Sequence, residues 1–215
     1  MINKKFLAGE YLVKRKSVSV IANELGCSQN KINYWLHKHS IPKRTISEAI
    51  YLKSNPCGDP FKFKKPHTTE DWFLYGLGIG LFWGEGNKVN KNAVRLGNTD
   101  PALIKVFLEF LEHFFQIDTV RLRFGLQIFS DTNPEQAKKF WIQLLKIRED
   151  QFQKTVVTPS TKQGTYSTKN EHGVLTIYFS NTKLRDNIVG AINALQTISY
   201  ANVAQSVERI HGKSQ

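Results

Sequence analysis

The feature that most constrains this chain is one apolar segment, residues 72–86, which reads WFLYGLGIGLFWGEG. Its apolar character predicts a helix, and at about 3.6 residues per turn Gly76, Gly80 and Gly84 share one side of it. Glycine inside a helix costs about 1 kcal/mol relative to alanine, so close packing must compensate. The glycine stripe therefore predicts a groove that another backbone approaches closely.

A single carboxylate, Glu85, stands at the predicted end of this helix, with Gly86 as the expected left-handed stop. A carboxylate at this end faces the negative pole of the helix dipole, which costs about 0.3 to 1 kcal/mol. Because a carboxylate at this position destabilises the helix, its presence favours a functional role for Glu85.

Three other interpretations of the segment compete. A nucleotide-binding glycine loop requires a preceding strand, and none is indicated before Gly76. A membrane span needs about 20 apolar residues, and the run between Asp71 and Glu85 is shorter. A buried core helix that the acid merely terminates stays open as an alternative.

Residues 79–86, IGLFWGEG, resemble the end of the signature helix of the LAGLIDADG homing endonuclease family. The resemblance implies that two such helices pack face to face through their small residues. It also implies that Glu85, as the last acid of the motif, binds Mg²⁺ or Mn²⁺ beside the scissile phosphates. The chain departs from the motif in having Glu85 where Asp is commoner, and Trp83 where the first acid usually stands.

Composition indicates a folded protein that meets a polyanion. The chain has 215 residues, 40% of them hydrophobic, and a formal net charge of +12. Such a positive surplus is typical of nucleic-acid binding, so we expect double-stranded DNA as the partner. Cys27 and Cys57 form no disulfide or zinc pattern, and the first residues lack a secretory signal. Cytoplasmic localisation and no membrane partner are therefore expected.

Residues 4–41 predict a trihelical helix-turn-helix unit. Ser17 or Ser19 is expected to cap the second helix and Ser28 the third, and Gly26 permits the turn between them. The apolar residues Phe6, Tyr11, Leu12 and Val13 predict a short first helix, and the predicted buried positions of the second and third helices are Ile21, Ala22, Leu25, Ile32, Trp35 and Leu36. The unit resembles the homeodomain-like helix-turn-helix of resolvases and many bacterial regulators, and an ordinary three-helix bundle is the alternative.

The outer side of the third helix carries amide and basic side chains, which suit hydrogen bonds to base edges and phosphates in a major groove. The predicted DNA-binding residues of this helix are Gln29, Asn30, Lys31, Asn33, Tyr34, His37 and Lys38.

Downstream of Glu85 an apolar strand runs three times into a polar cap and a helix, which predicts strand–helix alternation. The expected fold class is α+β, with the helix-turn-helix followed by a LAGLIDADG-type mixed α/β domain that has a curved antiparallel DNA-binding sheet. The predicted divisions are a helix-turn-helix domain at 1–41, a basic linker at 42–69, a LAGLIDADG-like domain at 70–198 and a loosely ordered tail at 199–215.

The family fold, by the resemblance, is a helix, two strands, a helix, two strands and a helix. Residues 134–147 fit a degenerate second signature helix, which would make the chain a pseudo-symmetric monomer. If the domain is instead one elaborated repeat, two chains must pair as a homodimer through Gly76, Gly80 and Gly84. The sequence leaves both possibilities open.

Further site residues follow from the resemblance and from strand alternation. Asn98 aligns with a polar residue that orders active-site water in the family, which makes it a candidate catalytic residue beside Glu85. The usual basic active-site position falls on Gln196 and Thr197, where no lysine stands. Cationic residues expected to contact bases or the phosphate backbone are Arg95, Arg121, Arg123, Lys162, Lys169 and Lys183.

Two functions are consistent with these features. In the first, the protein is a site-specific DNA endonuclease in which paired acids bind Mg²⁺ and activate water. In the second, the same scaffold is a transcription regulator that binds DNA without cutting. Glu85 favours cleavage, whereas the short connection of residues 87–93 favours binding alone.

Overall fold

Side-chain caps define where the first helices begin in the computed structural model, which describes residues 1–160 and 171–211, with side chains described as far as residue 197. Ser17 and Ser28 accept hydrogen bonds from the backbone N–H groups of Val20 and Lys31, as expected. Gly26 adopts a φ of +58° in the turn between them, a conformation that suits glycine. The elements of this part are α1 (Lys4–Ala8) with a π-helical continuation (Gly9–Val13), α2 (Val18–Glu24), α3 (Gln29–Lys38) and α4 (Ile46–Ser54).

The chain divides into an N-terminal unit, Met1–Pro60, and a C-terminal unit, Phe61–Gln215. Their boundary falls inside the predicted linker of residues 42–69. The N-terminal unit has its own core, made of Leu7, Tyr11, Ile21, Ala22, Ile32, Leu36 and Ile41.

The burial predicted for the second and third helices is partly wrong. In the first helix Leu7 and Tyr11, one turn apart, enter the core, whereas Phe6, Leu12 and Val13 are exposed. Leu25 is also exposed, since it lies at the C-terminal cap of α2, and Trp35 is only partly buried.

A buried carboxylate makes the stability of the N-terminal unit depend on pH. The Lys14 and Lys16 ammonium groups lie 2.6 and 2.7 Å from the carboxylate of Glu10. Their hydrogen bonds hold the pKa of Glu10 below its ordinary value of 4.5. The ion pairs of Glu10 therefore stabilise the folded N-terminal unit above pH 4.5. This stabilisation is lost as the pH falls from 4.5 through the lowered pKa of Glu10.

We expect Glu10→Gln to lower the thermal midpoint of the N-terminal helices at neutral pH, where the ion pairs are complete. The gap between wild type and variant should narrow as the pH falls below 4.5 and close once the pH lies below the lowered pKa of folded Glu10, because both side chains are then neutral. Thermal unfolding followed by circular dichroism across this range measures the gap. A gap that stays constant with pH would show that the two lysines do not act through the charge of Glu10.

The C-terminal unit alternates helices and strands. Its elements are α5 (Thr69–Glu85), β1 (Val94–Asn98), α6 (Pro101–Phe115), β2 (Arg123–Phe129), α7 (Pro134–Leu145), β3 (Val156–Thr158), β4 (Val174–Phe179) and α8 (Thr182–His211). Asp100 and Asn133 cap α6 and α7, and a proline begins each of these helices. The strand–cap–helix alternation predicted from the sequence is confirmed at these positions.

The sheet is mixed, with the strand order β1-β4-β2-β3. β4 pairs antiparallel with both β1 and β2, whereas β3 pairs in parallel with β2. The expectation of a wholly antiparallel sheet is therefore wrong. The reason is α7, because a strand–helix–strand crossover returns the chain in the same direction. The architecture is thus α+β, with helices and a four-stranded mixed sheet.

One face of the sheet carries the core. Alternate residues of β1, β2 and β4 are buried there against aromatic side chains of the helices. The rings of Phe82 on α5 and Phe107 on α6 stack at 6.0 Å, and Phe110 packs against both Phe107 and Phe114. This packing fixes α5 against α6, while α7 packs on α6.

Residues 61–65 belong to the C-terminal unit. The Lys62 and Lys64 N–H groups donate to the carbonyls of Phe115 and Phe114 at 2.9 and 2.8 Å, and Phe63 packs against Phe115. At the other end, α8 continues to His211, so the backbone is helical through much of residues 199–215, for which loose order was expected.

Among the described residues no helix combines the length and apolarity that a bilayer crossing requires.

Candidate nucleic-acid interface

The face of α5 that carries Gly76, Gly80 and Gly84 is not covered by any of the described residues. A Cβ built on any of these glycines meets nothing within 4 Å among the described residues. Large apolar side chains share this side of the helix and are exposed to solvent: Trp72 by 60%, Phe73 by 72%, Leu77 by 38% and Trp83 by 43%. We call these seven residues the glycine face.

The glycine that packs inside the chain is Gly78, on the opposite side of α5. A Cβ at Gly78 would fall on the ring of Phe110. The predicted packing of Gly76, Gly80 and Gly84 is therefore not made within this chain, and it stays a prediction for a second molecule. Residues 134–147, proposed as a second signature helix, do not lie against these glycines.

The end of α5 is joined to the sheet by an isolated bridge between Gly86 and Leu96. Gly86 has φ −71° and ψ 144°, which is extended backbone, so the expected left-handed stop is wrong. The cause is the sheet, because Gly86 leaves the helix directly into pairing with β1. The bridge therefore places the end of α5 beside the middle of β1, and Asn98 lies two residues beyond Leu96 on the same strand.

Glu85 is exposed at this junction. Its carboxylate has no hydrogen-bond or ion-pair partner among the residues that the structure describes. Asn98 is partly buried, and its side-chain oxygen accepts a hydrogen bond from the Asp100 N–H at 2.9 Å. Asn98 thus shapes the turn into α6, while Glu85 is free to meet a ligand.

A cation that the sequence analysis did not single out lies at the same end of α5. Lys88 donates from Nζ to the carbonyl of Trp83 at 2.6 Å, which offsets the negative pole of the helix beside Glu85. Arg185 at the start of α8 donates from Nη2 to the Lys88 carbonyl at 2.7 Å. The connection between α5 and β1 is therefore tied to α8 through Arg185.

The second face of the sheet is wholly or partly exposed. We call it the open face, and its residues are Arg95, Gly97, Arg123, Gly125, Gln127, Phe129, Val174, Thr176 and Tyr178. The register sets Arg95, Tyr178 and Arg123 in one row across three strands, and Gly97, Thr176 and Gly125 in the next row. A polar, cationic face without apolar covering suits a polyanion.

The arginines predicted for the sheet differ in position. Arg95 and Arg123 lie on the open face, as expected. Arg121 does not, because the strand begins only at Arg123 and Arg121 ends a 3-10 turn (Thr119–Arg121). Asp118 caps that turn and draws the backbone out of the extended conformation.

The predicted reading helix of the N-terminal unit is largely exposed. Asn33 is partly buried. The other six candidate residues are exposed: Gln29, Asn30, Lys31, Tyr34, His37 and Lys38. Lys38 lies over the rings of Tyr34 and Trp35, with Nζ at 5.7 and 5.0 Å from the ring centroids. These contacts hold a cation and two aromatic rings together at the end of α3.

Three lysines of the C-terminal unit were predicted to contact the DNA backbone, and one of them lies among the described residues. Lys183 is exposed in the first turn of α8. Lys162 and Lys169 lie outside the described residues.

One carboxylate per chain fits Mg²⁺ or Mn²⁺ only as part of a larger ligand set. Mg²⁺ keeps several waters and is commonly held by one or two carboxylates together with substrate phosphates. Over residues 1–160 and 171–197, whose side chains are described, no group of three or more His, Cys, Asp or Glu side chains could hold a metal ion. Glu85 therefore fits such an ion when a second carboxylate or a phosphate joins it.

No family model matches this chain, and neither a curated protein nor a solved structure is significantly similar to it.

Tyr178, Gly78, Lys88 and Arg185 are the functional or packing residues that the sequence analysis missed. Tyr178 occupies an alternating position of the predicted strand, so its place on the open face could have been predicted from strand alternation. The contacts of Gly78, Lys88 and Arg185 join residues far apart in the chain, or depend on a turn, and no local pattern indicates them.

Proposed function

We propose that this chain is a DNA-binding protein of the LAGLIDADG homing endonuclease type, which cuts duplex DNA at a specific site with Mg²⁺ or Mn²⁺. The observation that carries the proposal is the junction at Glu85. There an unpartnered carboxylate ends a glycine-rich apolar helix and leads directly into a sheet with an open cationic face.

The order of elements supports the proposal. One strand, β1, lies between α5 and α6, and the single bridged residue Gly86 stands where the family has its first strand; α6, β2, β4 and α8 then follow in the order of the family. α7 and β3 are additions between β2 and β4. The chain therefore corresponds to one elaborated repeat better than to two.

One repeat supplies one Glu85, so the proposal includes a homodimer. The glycine face is the surface for it, because three open glycines between exposed Trp72, Phe73, Leu77 and Trp83 let a second copy of α5 approach closely. A two-fold axis through such a face is self-complementary and brings the two Glu85 residues together. Exposure of four large apolar side chains on one helix is otherwise costly in water.

Within this assembly each part of the chain has a separate task. The open face and α3 bind the duplex, and the two Glu85 carboxylates hold the metal beside the scissile phosphates. The bound metal supplies an activated water and stabilises the leaving oxygen. Lys88 donates to the Trp83 carbonyl and so offsets the negative end of the α5 dipole, which leaves the Glu85 carboxylate available to the metal.

The second candidate is a transcription regulator that binds DNA without cutting it. The short connection of residues 87–93 between the Gly86 bridge and β1 favours it, because it offers little surface beyond the sheet. The absence of a complete ligand group for metal among the described residues is compatible with it too.

Binding of the full chain to random-sequence duplexes tests the part that both functions share. We expect binding that weakens steeply with salt, by about one log unit of affinity per log unit of salt for each phosphate contacted. Selection from a random library should then yield a preferred sequence. Binding that neither responds to salt nor prefers a sequence would contradict both functions.

The predicted reading helix has its own test. Asn30→Ala should weaken binding to the selected duplex about 5- to 100-fold and relax the preference at one base, since amide side chains read adenine edges. Lys31→Ala should weaken binding to all duplexes alike and reduce the salt slope by about 1.

Lys53→Ala is the matched control for Lys31→Ala, because it removes the same charge from exposed α4. Equal losses in the two lysine variants would mean that net charge matters and the position on α3 does not. Unchanged binding in Asn30→Ala and Lys31→Ala would remove α3 from the interface.

A further inference from the structure

Tyr178 and Arg95 form a cation–π pair on the open face. They lie directly opposite each other on antiparallel β4 and β1, and the Arg95 Cζ is 5.2 Å from the Tyr178 ring centroid. The guanidinium has no hydrogen-bond partner among the described residues, and its Nε is buried. The ring thus holds a cation whose outer nitrogen atoms are left for a ligand.

The arginine on the other side of Tyr178 is differently placed. Arg123 also lies opposite Tyr178, on β2. However, Arg123 donates from Nη1 to the carbonyls of Val120 and Leu122, each at 2.9 Å. Arg123 therefore stabilises its own turn, and Arg95 is the arginine of this row with its guanidinium uncommitted.

Gly125 fixes where the Tyr178 ring lies. A Cβ at Gly125 would be 2.8 Å from Cε2 and 3.1 Å from the hydroxyl oxygen of Tyr178, so the ring rests over this glycine. Gly97, in the same row as Gly125, would place a Cβ 2.6 Å from the Thr176 hydroxyl. The two glycines therefore make room for the Tyr178 ring and the Thr176 side chain, and the ring is held in place beside Arg95.

We infer that Tyr178 positions Arg95 to read a guanine in the major groove, an inference that rests on the proposed DNA binding. Two parallel donors of a guanidinium match the O6 and N7 acceptors of guanine, and this is the commonest specific contact to DNA. Stacking on the ring restricts the rotamers of a long side chain, so less entropy is lost when both hydrogen bonds form. Tyr178 is thus a positioning residue and Arg95 the reading residue.

Base preference of the full chain, measured by selection from random duplexes, tests this assignment. In Arg95→Ala and Tyr178→Leu the preference for guanine at one position of each half-site should fall about 10-fold or more. In Tyr178→Leu the affinity for non-specific duplex should stay within about 2-fold, because this substitution removes no charge and no phosphate contact. Tyr178→Phe keeps the ring and should keep the preference.

Gly125→Ala separates the position of the ring from its chemistry. It leaves Tyr178 intact but displaces the ring, so it should reproduce the loss seen in Tyr178→Leu. Thermal unfolding shows whether each variant is folded. If Tyr178→Leu does not fold, Tyr178→Phe still tests the assignment, because it must keep the guanine preference.

Three results would overturn the assignment while leaving DNA binding intact. They are an unchanged guanine preference in Tyr178→Leu, a lost preference in folded Tyr178→Phe, and an equal loss of affinity for every sequence in Arg95→Ala, which would identify a phosphate contact. Absence of any duplex binding by the wild type would instead overturn the proposed function and this inference together.

Discussion

Gly78→Ala is expected to destabilise the C-terminal unit, although alanine is the better helix former. The added Cβ would collide with the ring of Phe110, which is fully buried in the core. Overpacking of this kind costs about 1 to 3 kcal/mol or more, which exceeds the gain of about 1 kcal/mol in helix propensity. Denaturant unfolding of the full chain measures the difference in the free energy of unfolding.

Gly80→Ala is the matched control, because a Cβ there meets nothing within 4 Å. At concentrations where the chain is monomeric, it should stabilise the fold by about 0.5 to 1 kcal/mol. At higher concentration it should weaken self-association, since the methyl group separates the two α5 backbones. Equal effects of the two substitutions would contradict the orientation of α5, and unchanged association would remove Gly80 from the dimer interface.

Glu85→Gln is expected to abolish cleavage of the selected duplex while leaving its binding nearly unchanged. The amide is a poorer metal ligand than the carboxylate, and loss of even an outer partner of a metal ligand costs about 10- to 100-fold. We therefore expect a rate at least about 100-fold below wild type. Single-turnover cleavage with Mg²⁺ and with Mn²⁺ measures the rate, and binding without metal serves as the control.

Asp100→Asn is a matched acid control for Glu85→Gln, because Asp100 caps α6 through an oxygen that asparagine retains. It should cut the duplex at the wild-type rate. Cleavage by Glu85→Gln at the same rate as Asp100→Asn would show that Glu85 does not bind the catalytic metal.

Much of the fold was predictable because its signals are local. Ser17, Ser28, Asp100 and Asn133 cap helices where the sequence places them, and the side chain of a cap needs only its own neighbours to act. Alternation also identified the buried face of β2, where Phe124, Leu126 and Ile128 enter the core. Such patterns depend on the period of a single element.

The errors arose where tertiary contacts decide. Leu25 is exposed although burial was predicted, because it lies at the C-terminal cap of α2. Arg121 leaves the strand because Asp118 caps a turn, and β3 pairs in parallel because α7 carries the chain across the sheet. The glycine stripe was located correctly, but Gly78 packs inside the chain while Gly76, Gly80 and Gly84 remain open.

The candidate site was only half predictable for the same reason. Glu85 follows from its position in the motif, and Arg95 follows from strand alternation. The stacking of Arg95 on Tyr178 and the contact of Lys88 with α5 join separate elements, so they required the folded structure.

Incubation of the wild-type chain with a random duplex library and Mg²⁺ or Mn²⁺, followed by sequencing of the ends produced, tests the central claim most directly. The account predicts ends enriched at one sequence, on both strands, because a pair of chains presents two Glu85 carboxylates to the duplex. Salt-dependent binding without new ends at any concentration of either metal would contradict it, and would leave a regulator that binds DNA without cutting.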